Sequence, residues 1–171
     1  MFKEHAKIIN AISVAGEISG RKKLQKIIYI AKKMSFPFQE KFHFHFYGPY
    51  SEELTLRIEE LCNMGYLNEK KEQKSGYYQY CYSITDAGKD FLSMHELDMP
   101  ELEGCLIDMN QQNPRFLELV STILYFDTLE KAEVADKIFT LKENQKYTLS
   151  EIDQAYEYIA ELQSKAHPVA H

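Results

Sequence analysis

Arg21, Lys22, Lys23, Lys26, Lys32 and Lys33 crowd into one short stretch, and this is the feature of the chain best suited to chemistry. Such a stripe can hold phosphates through ion pairs that weaken with salt. Lys70, Lys71 and Lys74 supply a second basic group. Arg21, Lys22, Lys23, Lys26, Lys70, Lys71 and Lys74 are therefore the candidate nucleic-acid-binding residues, with double-stranded DNA as the expected ligand. The competing interpretation is a solvated helix face, the usual fate of a charge run. Glu52, Glu53, Glu59 and Glu60 surround Arg57 and argue against base readout, because carboxylates are repelled by a phosphate-lined groove.

Tyr47-Gly48-Pro49-Tyr50 places two aromatic side chains about a tight turn. With Arg57 they form a candidate interaction surface for a protein partner; otherwise both rings simply pack beside a helix cap. His43 and His45 share one strand face and could meet Cys62 or Cys81, but no third ligand stands at a recognised spacing, so no metal and no cofactor is expected. Tyr78, Tyr80 and Tyr82 alternate as core residues of a strand would, although tyrosines can also stack on bases. The chain carries no phosphate-cradling glycine motif, nucleophile elbow or metalloprotease helix, and it is expected not to be an enzyme.

The elements that must position these groups follow from periodicity. Phe2 to Ala15 predicts a first helix, stopped at Gly16-Glu17 and Ser19-Gly20. Leu24, Ile27, Ile28, Ala31 and Met34 define one apolar face of a second, leaving its basic side chains to solvent. Phe42, Phe44 and Phe46 alternate with polar residues as a short strand, and Ser51 caps a third helix carrying Leu54, Ile58, Leu61 and Cys62. Tyr66 to Glu72 and Tyr77 to Ile84 pair as a hairpin, after which Thr85 caps a fourth helix. Beyond Pro100 the pattern is helical throughout: Asn113 with Pro114 opens one helix, Thr128 another, and Thr148 with Glu151 forms a capping box for a third. The expected apolar centre is Phe44, Ile58 and Tyr80.

The fold class expected is α+β and mostly α. A winged-helix-type domain with a small antiparallel sheet spans residues 1–95, and an all-helical extension spans 100–165. The two helices of the helix-turn-helix are separated by Ser35 to Tyr50, longer than the usual turn of ~3 to 4 residues. The apolar stripes of the extension need partners, which makes a homodimer the expected assembly.

Composition bounds the rest. The net charge of -6 conceals an asymmetry. Residues 1–50 hold nine Lys/Arg against three Asp/Glu, 51–100 hold five against ten, and 101–171 hold six against thirteen. A basic first segment can present a positive face in an acidic protein. Three widely spaced cysteines fit reduced thiols, and neither a membrane span nor a signal-type segment is present, so a cytoplasmic location without membrane contact is expected.

The run from Gly20 to Met34, the segment His45-Phe-Tyr-Gly-Pro-Tyr-Ser-Glu-Glu-Leu54 and the segment Leu61-Cys-Asn-Met-Gly-Tyr-Leu67 resemble the YwgA family of bacterial cytosolic proteins. The helix bearing Lys23-Leu24-Gln25-Lys26, followed by the aromatic Tyr47-Gly48-Pro49 turn, also resembles the Panacea-type antitoxin domain, with Tyr50 where that group more often has a small aliphatic residue. Ile84-Thr-Asp-Ala-Gly88 is similar to the strand-to-helix junction after the wing in winged-helix regulators. These resemblances imply the fold and a cytosolic setting, but no activity. The leading expectation is a winged-helix, transcription-regulator-like module; the alternative is a protein-interaction module, antitoxin-like or adaptor-like, that does not bind DNA.

Overall fold

A computed structural model describes residues 2–168. Helix α1 (Lys3–Ala15) ends at Gly16, which adopts a positive φ of 89° that a residue with a side chain would take only under strain. The next three residues, Glu17–Ser19, extend as strand β1 rather than as a mere helix stop, because residues Cys81 to Ser83 offer them a ladder: Ile18 pairs with Tyr82. Helix α2 (Arg21–Lys33) follows at once.

The ribbon after α2 differs from its expected form. Strand β2 is confined to His43–His45 and pairs with Gly48–Tyr50, strand β3, in a separate two-stranded ladder. The Gly-Pro step thus serves as an edge strand, which suits a proline lacking a ladder donor. The three phenylalanines do not line one buried face. Phe44 packs against Tyr125 and Phe126 at centroid separations of 5.1 and 5.5 Å, while Phe46 at the ribbon tip is 79% exposed.

Ser51 caps α3 (Glu52–Asn63), its side chain accepting from the Leu54 amide at 3.1 Å. Strands β4 (Leu67–Lys74) and β5 (Tyr77–Ile84) then form the long hairpin, with Gly76 taking the positive φ its turn needs. The sheet order is β1-β5-β4 and all of its pairings are antiparallel. Of the tyrosines expected in the core, Tyr82 is buried and Tyr80 half-buried; Tyr78, near the hairpin tip, is exposed because no element covers the outer half of the ribbon. Thr85 caps α4 (Asp86–Ser93) through the Gly88 amide.

An irregular segment, residues 94–101, leads into α5 (Leu102–Asn110), α6 (Pro114–Tyr125), α7 (Lys131–Leu141), a short 3-10 turn (Glu143–Gln145) and α8 (Leu149–Ala166). Asn113 caps α6 ahead of Pro114, and both halves of the capping box between Thr148 and Glu151 are formed. Thr128 caps nothing: α7 starts three residues later behind Glu130, without a side-chain cap. Among the described residues the architecture is α+β and mostly helical, with eight α-helices and two small antiparallel sheets.

The helices after Pro100 do not stand apart. Helix α5 packs on α1 and α2, α6 on α2, and α8 on α5 and α6, so residues from both halves join one apolar cluster. Its centre is the isoleucine-rich α2 against α6 and α1 against α5, with Ile8, Ile9, Ile12, Ile27, Ile28, Leu117 and Val120 fully buried, rather than Phe44, Ile58 and Tyr80. Each such side chain contributes about 1.5 to 3 kcal/mol by leaving water. The apolar stripes of α6 and α8, from which a homodimer was inferred, are covered inside the chain.

Candidate functional site

Helix α2 carries most of the candidate residues, and its environment decides what they can do. Eight consecutive residues from Leu24 to Ala31 are buried, so the middle of the helix is enclosed on all sides despite its amphipathic sequence. The side read as solvated is covered by α6. Lys26, expected at the surface, is 1% exposed and donates to the Pro49 carbonyl at 2.7 Å. Lys22 lies 3.4 Å from the Glu118 carboxylate, Lys33 lies 2.6 Å from Asp127, and Lys23 donates to the Asn110 carbonyl. Lys32 donates to the Glu40 carbonyl at 2.6 Å. Arg21 remains more exposed, donating to the Tyr82 hydroxyl at 3.2 Å, facing Glu69 and stacking 3.7 Å from the Tyr80 ring. The basic groups of α2 thus find partners within the chain: Lys22 and Lys33 meet Glu118 and Asp127, Arg21 meets Glu69, and Lys23, Lys26 and Lys32 donate to main-chain carbonyls.

Between α2, α3, the β2–β3 ribbon and the inner end of the hairpin lies a cleft of about 500 Å³. Arg21, Lys22, Gln25 and Lys26 line it from α2, Thr55, Ile58 and Glu59 from α3, and Glu69 and Tyr82 from the hairpin. The ribbon adds His45, Phe46, Tyr47 and Tyr50. A volume of this size accommodates a small molecule or a few side chains of a partner. Gln25 locks two walls together: its amide donates to the Ser51 carbonyl at 2.9 Å and accepts from the Ser51 amide at 2.9 Å. Tyr50 is held through its hydroxyl by Thr55 at 2.8 Å, and its ring lies 5.1 Å from that of His45. Phe46 and Tyr47 meet edge to face at the mouth, 79% and 57% exposed.

Beneath the cleft three ammonium groups gather around one carboxylate. Glu118 is 1% exposed; Lys142 approaches it at 3.3 Å, Lys22 at 3.4 Å, and the Tyr147 hydroxyl at 3.4 Å. Lys142 also donates to the Phe46 carbonyl at 2.8 Å, tying the ribbon to α7. Burial pulls the Lys26 ammonium down to about 7; the nearby Glu118 opposes this, and Lys22 and Lys142 add to it. Gly48 passes directly over this node, with Lys26 Nζ and Thr122 Oγ1 each 3.5 Å from where a β-carbon would sit. Sequence reasoning missed Glu118 and Lys142. The available signal was that α6 is so apolar that Glu118, between Leu117 and Leu119, had to enter the core with its neighbours.

The remaining candidates lie elsewhere. Arg57 is not part of the cleft: it pairs with the fully buried Glu40 and with Glu53. Lys70 is well exposed on β4, where Lys70 and Lys74 both pair with Glu72, and Lys71 lies 4.2 Å from the Tyr78 ring. These hairpin lysines and the α2 cluster do not form a continuous positive face, because Glu69, Glu72 and the cleft intervene. His43 and His45 meet neither cysteine as a metal set. Among the described residues, one trio of potential ligands, Glu17, Glu72 and Cys81, has its atoms within 4.8 Å of one another. All three cysteines are free, and burial raises each thiol. Among the described residues no helix is long and apolar enough to cross a membrane.

No family model matches the chain. Over 162 residues it is 62% identical to a Bacillus subtilis (strain 168) protein described as uncharacterized protein YwgA, a match covering 95% of this chain and 98% of that relative. Identity at this level along nearly the whole of both chains carries the resemblance of the first half through α5 to α8 as well, and the chain belongs to the YwgA family.

Proposed function

We propose that this protein is a non-enzymatic interaction module that receives a segment of a protein partner in the cleft between α2, α3 and the β2–β3 ribbon. The observation that carries this is the pair Phe46 and Tyr47, 79% and 57% exposed at the mouth of the cleft. Two large rings left in water beside a preformed cavity fit an interface anchor, where buried aromatics contribute most of the binding energy. The ribbon holding them is braced from below by Lys142 and Lys26, so the surface is organised before a partner arrives.

The regulator-like, DNA-binding reading has less support from the same geometry. Each of the six basic groups on α2 already faces a carboxylate or carbonyl inside the chain, and the outward face of α3 carries Glu52, Glu53, Glu59 and Glu60. What favours it is the hairpin, with Lys70, Lys71 and Lys74 near its tip. We infer a monomer working in the cytoplasm, since the helical stripes are covered within the chain and three free thiols suit a reducing compartment.

The test is a nuclease-treated pull-down with the intact chain and with Tyr47→Ala, run beside a titration with random duplex DNA at low and moderate salt. A stoichiometric partner that Tyr47→Ala fails to retain is expected, with no salt-dependent duplex binding. Recovery of the same proteins by Tyr47→Ala would refute the cleft as the working surface. Duplex binding abolished by changing Lys70, Lys71 and Lys74 to Glu would install the DNA reading instead.

A further inference from the structure

We propose that the partner segment seated in this cleft presents an anionic group, a carboxylate or phosphate, on or beside an aromatic side chain. The inference rests on the interaction reading for its occupant and adds the chemistry by which that occupant is recognised.

The charges around the cleft floor do not balance. Lys22, Lys26 and Lys142 face Glu118, and the other groups on this node are neutral: the Pro49 and Phe46 carbonyls, the Thr122 hydroxyl and the Tyr147 phenol. Arg21 at the far end has Glu69 as its own counter-charge. A cation away from water is costly: burial foremost, with Lys22 and Lys142 adding to it against Glu118, depresses the affinity of Lys26 for its proton. An anion entering the cleft would remove the imbalance.

Lys22 is placed to receive it. Its ammonium stands between the floor and the mouth, 3.4 Å from Glu118 and 4.7 Å from the Tyr47 ring, with its side chain 37% exposed, and among the described residues it makes no hydrogen bond. Donors therefore remain for an incoming oxygen. Tyr47, Tyr50 and His45 supply flat walls for an aromatic body. Glu59 on the α3 wall confines the anion to the α2 side.

The experiment is calorimetry at pH 7 on the full chain. The acidic probes are acetyl-Gly-Glu-Phe-Gly-amide and phenyl phosphate, and the neutral controls are the peptide's Gln analogue and phenol. The acidic peptide should bind about tenfold more tightly than its Gln analogue, as one charge-assisted contact would give. Lys22→Gln should abolish that ratio and Lys22→Arg should keep it. Because Lys26 takes up a proton as the anion arrives, the heats measured in HEPES and in Tris buffer should differ for the acidic peptide and coincide for its Gln analogue. If the peptide and its Gln analogue bind alike, the anion inference is overturned while the cleft still serves peptides. If phenyl phosphate binds and neither peptide does, the ligand is a small anion and a protein segment is refuted. If no probe binds at millimolar concentration, the inference fails, and the Tyr47→Ala pull-down still decides the interaction reading on its own.

Discussion

Replacing Lys26 with Met should stabilise the protein at neutral pH, and should do so by an amount that vanishes as the pH rises. The unfolded chain holds this lysine near an ordinary value of about 10.4. The folded chain holds it at about 7. A gap of about three units corresponds to ~4 kcal/mol of stability forgone below pH 7. Because the folded value is depressed, the unfolded state binds more protons between the two values. Stability therefore rises with pH across that window, by up to ~1.4 kcal/mol per unit, and the penalty is absent above about pH 10. Methionine fills much of the same volume without the charge, but it leaves the Pro49 carbonyl without its donor and takes one cation from Glu118. Those losses amount to roughly 1.5 to 3 kcal/mol. The expected net is a gain of about 1 to 3 kcal/mol for Lys26→Met at pH 7, turning to a loss near pH 10. Urea unfolding of both proteins at pH 7, 8, 9 and 10 measures it, with similar m-values required for the comparison. Parallel stability curves for wild type and Lys26→Met across this range would refute the placement of a desolvated ammonium under the cleft.

Two further substitutions test the frame that holds the site. Gly88→Ala would drive a β-carbon into the Tyr66 carbonyl oxygen and to 2.8 Å from Ile84, so a destabilisation of ~1 to 3 kcal/mol is expected in thermal melts despite alanine's better helix propensity. Arg57→Met would strip the buried Glu40 carboxylate of its cation at a cost of about 3 to 5 kcal/mol. Burial already raises Glu40, with Arg57 opposing the shift, and removing Arg57 raises it further. A raised folded value means the variant binds more protons than its unfolded chain, so its deficit should shrink as the pH falls towards the ordinary glutamate range and be fully present at pH 7. Denaturant midpoints compared at pH 5 and pH 7 read that difference.

Several features were legible because they are local. Ser51, Thr85, Asn113 and the Thr148–Glu151 box each satisfy amides within three residues of themselves, so their chemistry is complete inside a short window of sequence. The β4–β5 hairpin was equally readable, since its two strands are adjacent and Gly76 sits in its turn. Strand β1 was invisible for the opposite reason: Glu17–Ser19 is three residues long and its ladder partner, Ser83 to Cys81, lies more than sixty positions away. Strand β3 hid inside a Gly-Pro step that composition reads as a turn. Tyr47 and Tyr50 were singled out by type and spacing and do line one cleft, whereas Arg57, grouped with them, turns towards Glu40.

By itself the sequence determined the helical segments and the long hairpin, most of the helix caps, the family, and a charge asymmetry between a basic start and an acidic end. It could not assign that asymmetry a purpose, because an unpaired lysine on one helix and an unpaired glutamate on another read as surface until the helices are packed together. Tertiary structure decided the matter by laying α6 across α2. That single packing step buried Lys26, brought Glu118 between Lys22 and Lys142, and converted a supposed phosphate-binding stripe into the underside of an aromatic cleft. Burial depends on what covers a residue, and for α2 the cover comes from some ninety positions further along the chain.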